Sequence, residues 1–262
     1  METADVDARL RSRILAHLEE AAWIEKSLYV IGWALLTAAL AQIRFYAPWN
    51  PFVPYSGQVL GVVGAGLVLG PWMGYASMYV YLLLGALGAP VFADFGAGVD
   101  VLLGATAGYL YAFPLAAGLA GSLSRRYLDR PGEETMARLG VLALAGYLVL
   151  FGFGVGLLGV SGLLATEGLG RTVLVSSALV CGVAGLLWYW SREESTAFLA
   201  RMATGLVGVL AIYGLGWVGL ATVTGMGWGP ALAQGVVQFV PVDLAKVFVA
   251  AGASSLLLPP RS

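Results

Sequence analysis

Charged residues divide this chain into long uncharged apolar runs, and these runs constrain the fold more than any other feature. An α-helix needs about 20 apolar residues to cross the hydrocarbon core of a bilayer. Only 11% of the 262 residues are charged, whereas 59% are hydrophobic. Soluble domains carry about 25% charged residues, so this composition excludes that class. The sequence therefore predicts an all-α, polytopic protein embedded in the lipid bilayer.

Glycine and proline divide the longest runs into separate membrane spans. The run 45–93 is too long for one span and divides at Gly70-Pro71, because proline starts a helix well but does not continue one. The run 202–242 divides in the same way at the Gly/Pro-rich segment 225–230. We predict about eight spans, at 27–45, 56–70, 72–88, 101–123, 138–162, 171–190, 202–223 and 231–258.

The Lys and Arg residues predict the orientation, because positively charged loops stay on the cytoplasmic side of a membrane. With the N-terminus in the cytoplasm, all but three of the 14 Lys and Arg residues fall inside. Arg44 and Arg171 lie outside, and Lys246 lies within a span. Both termini are therefore expected to be cytoplasmic. Residues 1–26 are interpreted as an amphipathic helix on the inner membrane surface, with a solvated tail as the alternative.

The scarcity of reactive residues excludes several function classes. The chain has one His and one Cys, so a zinc site or a Ser-His-Asp triad lacks its parts. Neither of its two lysines follows a glycine, so no P-loop is present for ATP hydrolysis. The formal net charge is -1, which offers no basic face for nucleic acid. We expect a protein that is not an enzyme and carries no metal or other cofactor.

A carboxylate and an ammonium group in the last span, Asp243 and Lys246, are the candidate functional residues. Residues three apart lie on the same face of a helix. Charged groups inside a membrane are costly and therefore indicate function by default. The alternative interpretation is a structural pair in which each charge neutralises the other.

Three segments on the predicted outer side could close over such a site. They are 44–56, 89–100 and 224–230. The first is rich in proline and aromatic residues, which suits a fairly rigid lid. The second carries Asp94 and Asp100, and each of these acids also fits a plain solvated loop charge.

Several segments together resemble one transporter family. They are PYSGQ (54–58), GVVGAGLVLGPWMG (61–74), YLLLGALGAPVF (81–92), LLGATAGYL (102–110) and FVPVDLAK (239–246). Their order and spacing resemble the BioY family, the biotin-binding S-components of energy-coupling-factor (ECF) transporters of prokaryotic cell membranes.

The resemblance implies a fold and a function. It implies an S-component-like six-helix core, at 27–124 and 202–258, within one membrane domain spanning 27–258. It also implies capture of biotin outside, followed by import that a separate coupling protein and two ABC-type ATPases energise. The remaining segment, about 132–200, is interpreted as an inserted helix pair. It is either lipid-facing or self-associating, or it changes docking on the energising module.

The resemblance also assigns residues to the ligand and to the partner. Asp243 and Lys246 match the family's ligand-holding residues of the last helix. Asp243 suits the ureido N–H groups of biotin, whereas Lys246 suits either the ureido carbonyl or the valerate carboxylate. The first span carries small residues at Ala34 and Ala38, which match the family's contact with the coupling protein.

Further candidates surround the proposed ligand. Tyr109 matches a tyrosine in the family's glycine-rich segment, and Tyr55 and Phe52 are candidate lid residues. Gly96 stands where the family often has Asn or Ser, so an acid of the same loop, Asp94 or Asp100, is the candidate to compensate.

Three alternatives stay open from the sequence. The first is a self-contained secondary transporter that uses the Asp243/Lys246 pair. The second is an S-component for another vitamin, such as thiamine or riboflavin. The third is an intramembrane enzyme acting on lipids, for which the spans offer few reactive groups.

Overall fold

A computed structural model describes residues 14, 16–18, 20–47, 50–128 and 196–258. The predicted spans 138–162 and 171–190 lie outside the described residues. The described part consists mainly of helices, together with one antiparallel two-stranded hairpin. In chain order these elements are α1 (Trp23–Gln42), β1 (Arg44–Ala47), β2 (Asn50–Ser56), α2 (Gln58–Gly64), α3 (Pro71–Ala86), α4 (Ala107–Leu128), α5 (Thr196–Thr224), α6 (Trp228–Leu232) and α7 (Val240–Leu257).

Shorter helical segments complete this order. A π-helical turn, Ala65–Leu69, extends α2, and a second one, Ala233–Val237, extends α6. A 3-10 turn, Ala93–Phe95, and one α-helical turn, Val99–Leu102, lie between α3 and α4. Single π-helical turns are rare and occur frequently at functional sites.

The predicted break at Gly70-Pro71 is confirmed. Gly70 has a φ of 85°, a conformation that glycine adopts without strain, and Pro71 begins α3. The span predicted at 101–123 begins later, at Ala107, because Gly104 and its neighbours form a turn before the helix.

Among the described residues, three segments are long and apolar enough to cross a membrane. They are Trp23–Gln42, Phe198–Thr224 and Trp228–Leu257. The last of these contains α6, its π-helical turn and α7, so the final predicted span is one apolar segment with a local change of helix type.

The segment between α1 and α2 forms the hairpin, which the sequence did not predict as strands. Arg44 pairs with Ser56 and Phe45 pairs with Tyr55, with an irregularity before Ala47. Successive residues of a strand point to opposite faces. Arg44 and Ser56 therefore share one face, while Phe45 and Tyr55 stack on the other face with their ring centroids 4.6 Å apart.

Glycines allow the central helices to approach each other closely. A Cβ atom on Gly108 of α4 would lie 2.3 Å from the backbone oxygen of Leu215 of α5. A Cβ atom on Gly66 would lie equally close, 2.3 Å, to the backbone oxygen of Ala117. Small residues at such crossings let helices pack backbone against backbone in membrane proteins. This packing fixes the helices that surround the site.

The described residues of the N-terminal segment pack against the helical core. Positions 14, 16–18 and 20 are helical. The Leu18 side chain is buried and joins a small apolar cluster with Val68, Leu69 and Leu258. The amphipathic helix on the membrane surface that was expected for residues 1–26 stays a prediction.

Candidate functional site

The hairpin, the segment 92–106 and helices α4, α5 and α7 enclose a cavity of about 330 Å³. This volume lies at the lower end of the range of small-molecule pockets, which is about 300–1,000 Å³. Apolar side chains such as Phe92, Phe113 and Ile212 form much of the wall, and Asp243 and Lys246 also line it. The cavity therefore combines an apolar wall with a few polar groups, as small-molecule sites do.

Asp243 and Lys246 form a largely buried ion pair in the cavity wall, which we call the deep pair. Lys246 Nζ lies 2.6 Å from Asp243 Oδ1. Asp243 sits in the first turn of α7, where the positive end of the helix dipole favours an anion. The two side chains are 3% and 15% exposed, respectively, so both charges are largely removed from solvent. The spacing predicted their shared helix face correctly.

Tyr213 of α5 completes this deep pair. Its hydroxyl donates to Asp243 Oδ2 at 2.9 Å, while Lys246 occupies Oδ1. Both carboxylate oxygens thus have one donor from the protein, and each retains a further acceptor position. Tyr213 is not among the site residues that the sequence predicted. A tyrosine hydroxyl in the apolar run 202–242 needs a partner when buried, and this signal could have identified it.

Tyr109 lines the cavity from α4, as the resemblance implied. Its hydroxyl donates to the carbonyl oxygen of Gly235 at 2.9 Å. Gly235 belongs to the π-helical turn Ala233–Val237. Gly216 of α5 has no side chain and therefore leaves room for the ring of Tyr109. A Cβ atom there would lie 2.2 Å from the ring.

The two candidate lid residues have different positions. Phe52 lines the cavity and is half exposed, whereas Tyr55 lies outside the cavity lining. The Tyr55 ring packs against Phe45 and Phe239, and its hydroxyl donates to the carbonyl oxygen of Gln238 at 3.2 Å. Burial, followed by the charge of Asp243, raises the pKa of Tyr55, so its hydroxyl remains a donor. Tyr55 therefore supports the hairpin from behind.

A second anchor fastens the tip of the hairpin to the same π-helical turn. Asn50 is fully buried, and its Nδ2 donates to the carbonyl oxygen of Gln234 at 2.9 Å. Its Oδ1 accepts from the backbone N–H groups of Phe52 and Val53. The hairpin is thus held over the cavity by side-chain hydrogen bonds at its tip and on its far strand.

A second ion pair joins Arg44 of β1 to Asp94, a residue of the cavity lining, and we call this more exposed pair the rim pair. The side chains are 29% and 54% exposed, respectively, so solvent reaches both of them. Gln42 braces the same contact: its Nε2 donates to the carbonyl oxygen of Phe92 at 3.0 Å, and its Oε1 accepts from the N–H of Phe95 at 3.1 Å. The rim pair joins the hairpin to the loop after α3.

Gly96 lies in the cavity wall close to Asp94. A Cβ atom at Gly96 would lie 3.0 Å from the carbonyl oxygen of Ala93, so a side chain there requires its neighbours to shift by a few tenths of an ångström. The structure therefore brings together Asp243, Lys246, Tyr109, Phe52, Gly96 and Asp94 around one cavity.

The two small residues of the first span have different environments. Ala34 is fully buried, on the face of α1 that also buries Thr37 and Ala41. Thr37 on this face packs against Gly61 of α2, where a Cβ atom would lie 2.6 Å from Thr37 Oγ1. Ala38 is half-buried. The structure thus places Ala34 inside the protein rather than on a surface that a partner could contact.

Comparisons with known proteins agree with this architecture. A family model described as the BioY family matches residues 12–181 and 173–259. A probable biotin transporter BioY of Pyrococcus horikoshii is 46% identical over 104 residues, which are 38% of this chain and 60% of the relative. The biotin transporter BioY of Thermotoga maritima is 38% identical over 108 residues, covering 41% of this chain and 60% of the relative.

This chain spans about 60% of the length of these curated relatives. A crystal structure of the S-component for biotin from an ECF-type ABC transporter shares the fold, with a TM-score of 0.57 and 18% identity over 88% of this chain and 89% of that one. The family match covers most of the chain, and the relatives are transporters rather than enzymes. This multi-pass membrane protein belongs to the BioY family.

Proposed function

We propose that this protein is the biotin-binding membrane subunit of a vitamin uptake transporter. The cavity beneath the hairpin is the biotin site, and a separate ECF module energises import. The names of the relatives and the fold of the biotin S-component support this function. The deep pair, placed in the wall of a cavity of small-molecule size, carries the proposal.

The deep pair matches the chemistry of a cyclic urea. The ureido ring of biotin presents an N–H donor beside a carbonyl acceptor on one edge. Asp243 keeps an acceptor position on each oxygen, and Lys246 keeps donors beyond the one shared with Asp243. One N–H group can donate to Asp243 while the adjacent carbonyl accepts from Lys246. Charged partners make both hydrogen bonds stronger than neutral ones.

The apolar wall suits the remainder of biotin. The thioether ring and the aliphatic chain carry no strong hydrogen-bonding groups, so they gain free energy when they leave water for an apolar surface. Phe92, Phe113 and Ile212 provide such a surface in the same cavity. The site therefore offers polar partners for the ureido group and an apolar wall for the carbon skeleton.

An external energy source fits the sequence. The chain has two lysines, and neither occurs in a P-loop pattern that could bind ATP phosphates. We propose that a transmembrane coupling protein and two ATPases supply the energy. Since Ala34 is buried, the exposed flank of α1 next to Ala38 is a better candidate for the coupling contact than Ala34 itself.

The ligand test measures thermal stability of the purified chain in detergent with biotin, thiamine or riboflavin. A ligand that binds only the folded state at 100 times its Kd stabilises it by about 2.7 kcal/mol. We expect biotin, but not thiamine or riboflavin, to raise the melting temperature. Asp243→Asn and Lys246→Ala abolish this shift. The matched control is Asp100→Asn, because Asp100 is exposed and outside the cavity lining, and it keeps the shift. A wild-type chain that biotin does not stabilise contradicts the proposed ligand.

The energy source requires a separate test in proteoliposomes. We expect biotin uptake only when the coupling protein and both ATPases are present and ATP is supplied on the side of the membrane that carries the ATPases. The matched control replaces ATP with a non-hydrolysable analogue and abolishes uptake. Uptake by this chain alone, driven by a proton gradient, contradicts the ECF partnership and favours a secondary transporter.

A further inference from the structure

Biotin has polar groups at both ends, whereas Asp243 and Lys246 lie together within one turn of α7. The ureido ring and the carboxylate are separated by an aliphatic chain, so both cannot contact Lys246 at once. Of the described residues that line or border the cavity, two carry a positive charge: Lys246 in the deep pair and Arg44 in the rim pair. The ligand carboxylate therefore has two possible partners.

The deep pair is a poor partner for a carboxylate. Asp243 carries a negative charge there, and its side chain is 3% exposed, so little water screens a second anion placed beside it. Lys246 is already neutralised by Asp243 at 2.6 Å. An uncharged group that both donates and accepts fits this pair better, which directs the ureido ring to the deep pair and the carboxylate toward the rim pair.

Arg44 has the position and the donors that a carboxylate at the rim requires. It pairs across the hairpin with Ser56 and lies two residues from Tyr46, and both of these neighbours line the cavity. The guanidinium carbon of Arg44 lies 5.7 Å from the centre of the Tyr46 ring. Asp94 accepts from Nη2, so the planar fork retains further N–H donors for a second carboxylate.

We propose that Arg44 binds the carboxylate of the ligand and that Lys246 binds the ureido carbonyl. Asp94 holds the Arg44 side chain beside the cavity while the site is empty. This inference rests on the proposed function, since it assigns the two ends of biotin within the same cavity. It makes Arg44 a specificity-determining residue that favours a free acid over an uncharged amide of the same shape.

The test compares biotin with biotin amide, in which an uncharged carboxamide replaces the carboxylate. Titration calorimetry of the full chain in detergent gives Kd for both ligands in the wild type, Arg44→Gln and Arg44→Lys. We expect Arg44→Gln to weaken biotin about 10- to 100-fold, the range of a charge-assisted hydrogen bond. Its Kd for biotin amide changes less than about twofold, since no charge is lost for that ligand. Arg44→Lys, which keeps the charge without the fork, gives an intermediate loss.

Asp94→Asn is expected to have the opposite effect on biotin binding. It also tests the inference if the Arg44 variants fail to fold. Removal of the Asp94 charge takes away a competing anion, so biotin binds more tightly while biotin amide is unaffected. An equal loss for both ligands in Arg44→Gln shows that Arg44 only holds the hairpin, and it overturns the inference. Unchanged biotin binding in Arg44→Gln, or weaker biotin binding in Asp94→Asn, also overturns it. A wild type that binds neither ligand rejects the proposed function itself.

Discussion

The two ion pairs of the cavity have the same charges but different surroundings. The deep pair, Asp243 and Lys246, lies within one helix, is shielded from solvent and receives a third group, the Tyr213 hydroxyl. The rim pair, Arg44 and Asp94, joins the hairpin to the loop after α3 and is open to water. Burial removes the screening that weakens surface ion pairs, but it also imposes a desolvation cost that only complete pairing offsets. The deep pair therefore tolerates loss of one partner poorly, while the rim pair can exchange partners.

The largest effect is expected from loss of one member of the deep pair. Asp243→Asn leaves the Lys246 charge buried without its anion, and breaking a buried pair costs about 3–5 kcal/mol of unfolding free energy. Denaturant titration in detergent measures this loss. The double variant Asp243→Asn/Lys246→Met removes both charges, and we expect it to recover most of the stability while biotin binding remains absent. Equal stability of the single and double variants contradicts a buried, mutually dependent pair.

A smaller effect is expected from removal of the hydroxyl that supports the deep pair. Tyr213→Phe deletes the donor to Asp243 Oδ2 and preserves the ring. A hydrogen bond to a charged group contributes about 1.5–3 kcal/mol, so we expect a loss of that size in unfolding free energy. The matched control is Tyr111→Phe, because the Tyr111 hydroxyl donates to the carbonyl oxygen of Leu102, outside the deep pair. We expect weaker biotin binding from Tyr213→Phe only; similar binding by both variants contradicts a role for Tyr213 in the site.

The sequence predicted the deep pair because both charges lie in one apolar run at a spacing of three. It could not predict Tyr213, since Tyr213 lies 30 residues before Asp243 and on a different helix. The rim pair spans 50 residues and depends on how the hairpin meets the loop after α3. Local periodicity carries no information about such tertiary contacts. Each residue of the rim pair alone fits a solvated loop charge.

The hairpin shows a second limit of the sequence. Pro51 and Pro54 fall within β2, and proline is rare in strands except at sheet edges, so the segment indicated a lid but not its strand pairing. The face of the hairpin on which each side chain lies then depends on the strand register, because a shift by one residue exchanges the two faces. Phe52 therefore faces the cavity as predicted for a lid residue, whereas Tyr55 packs behind it.

A further loss of stability is expected from a substitution at Gly216, where α5 packs closely against the Tyr109 ring. Gly216→Ala places a Cβ atom 2.2 Å from the Tyr109 ring, which must move into the cavity or away from Gly235. Overpacking of this kind costs about 1–3 kcal/mol. We expect lower thermal stability and weaker biotin binding. Gly214→Ala, on the same helix but with nothing within 4 Å, is the matched control and leaves both unchanged or slightly raises stability. Identical behaviour of the two variants contradicts the close contact.

The smallest effect on stability is expected at the rim. Arg44→Gln breaks the ion pair with Asp94, but an exposed pair contributes only about 0–1 kcal/mol to unfolding free energy because water screens it. Denaturant titrations at low and high salt measure this loss, and we expect it to shrink as salt rises. The hairpin keeps its anchors at Asn50 and Tyr55, which carry no charge and do not respond to salt. A loss as large as that of Asp243→Asn, or one independent of salt, contradicts the distinction between the two pairs. A small, salt-sensitive loss means that Arg44 can leave Asp94 at little cost, which is the condition for binding a ligand carboxylate in its place.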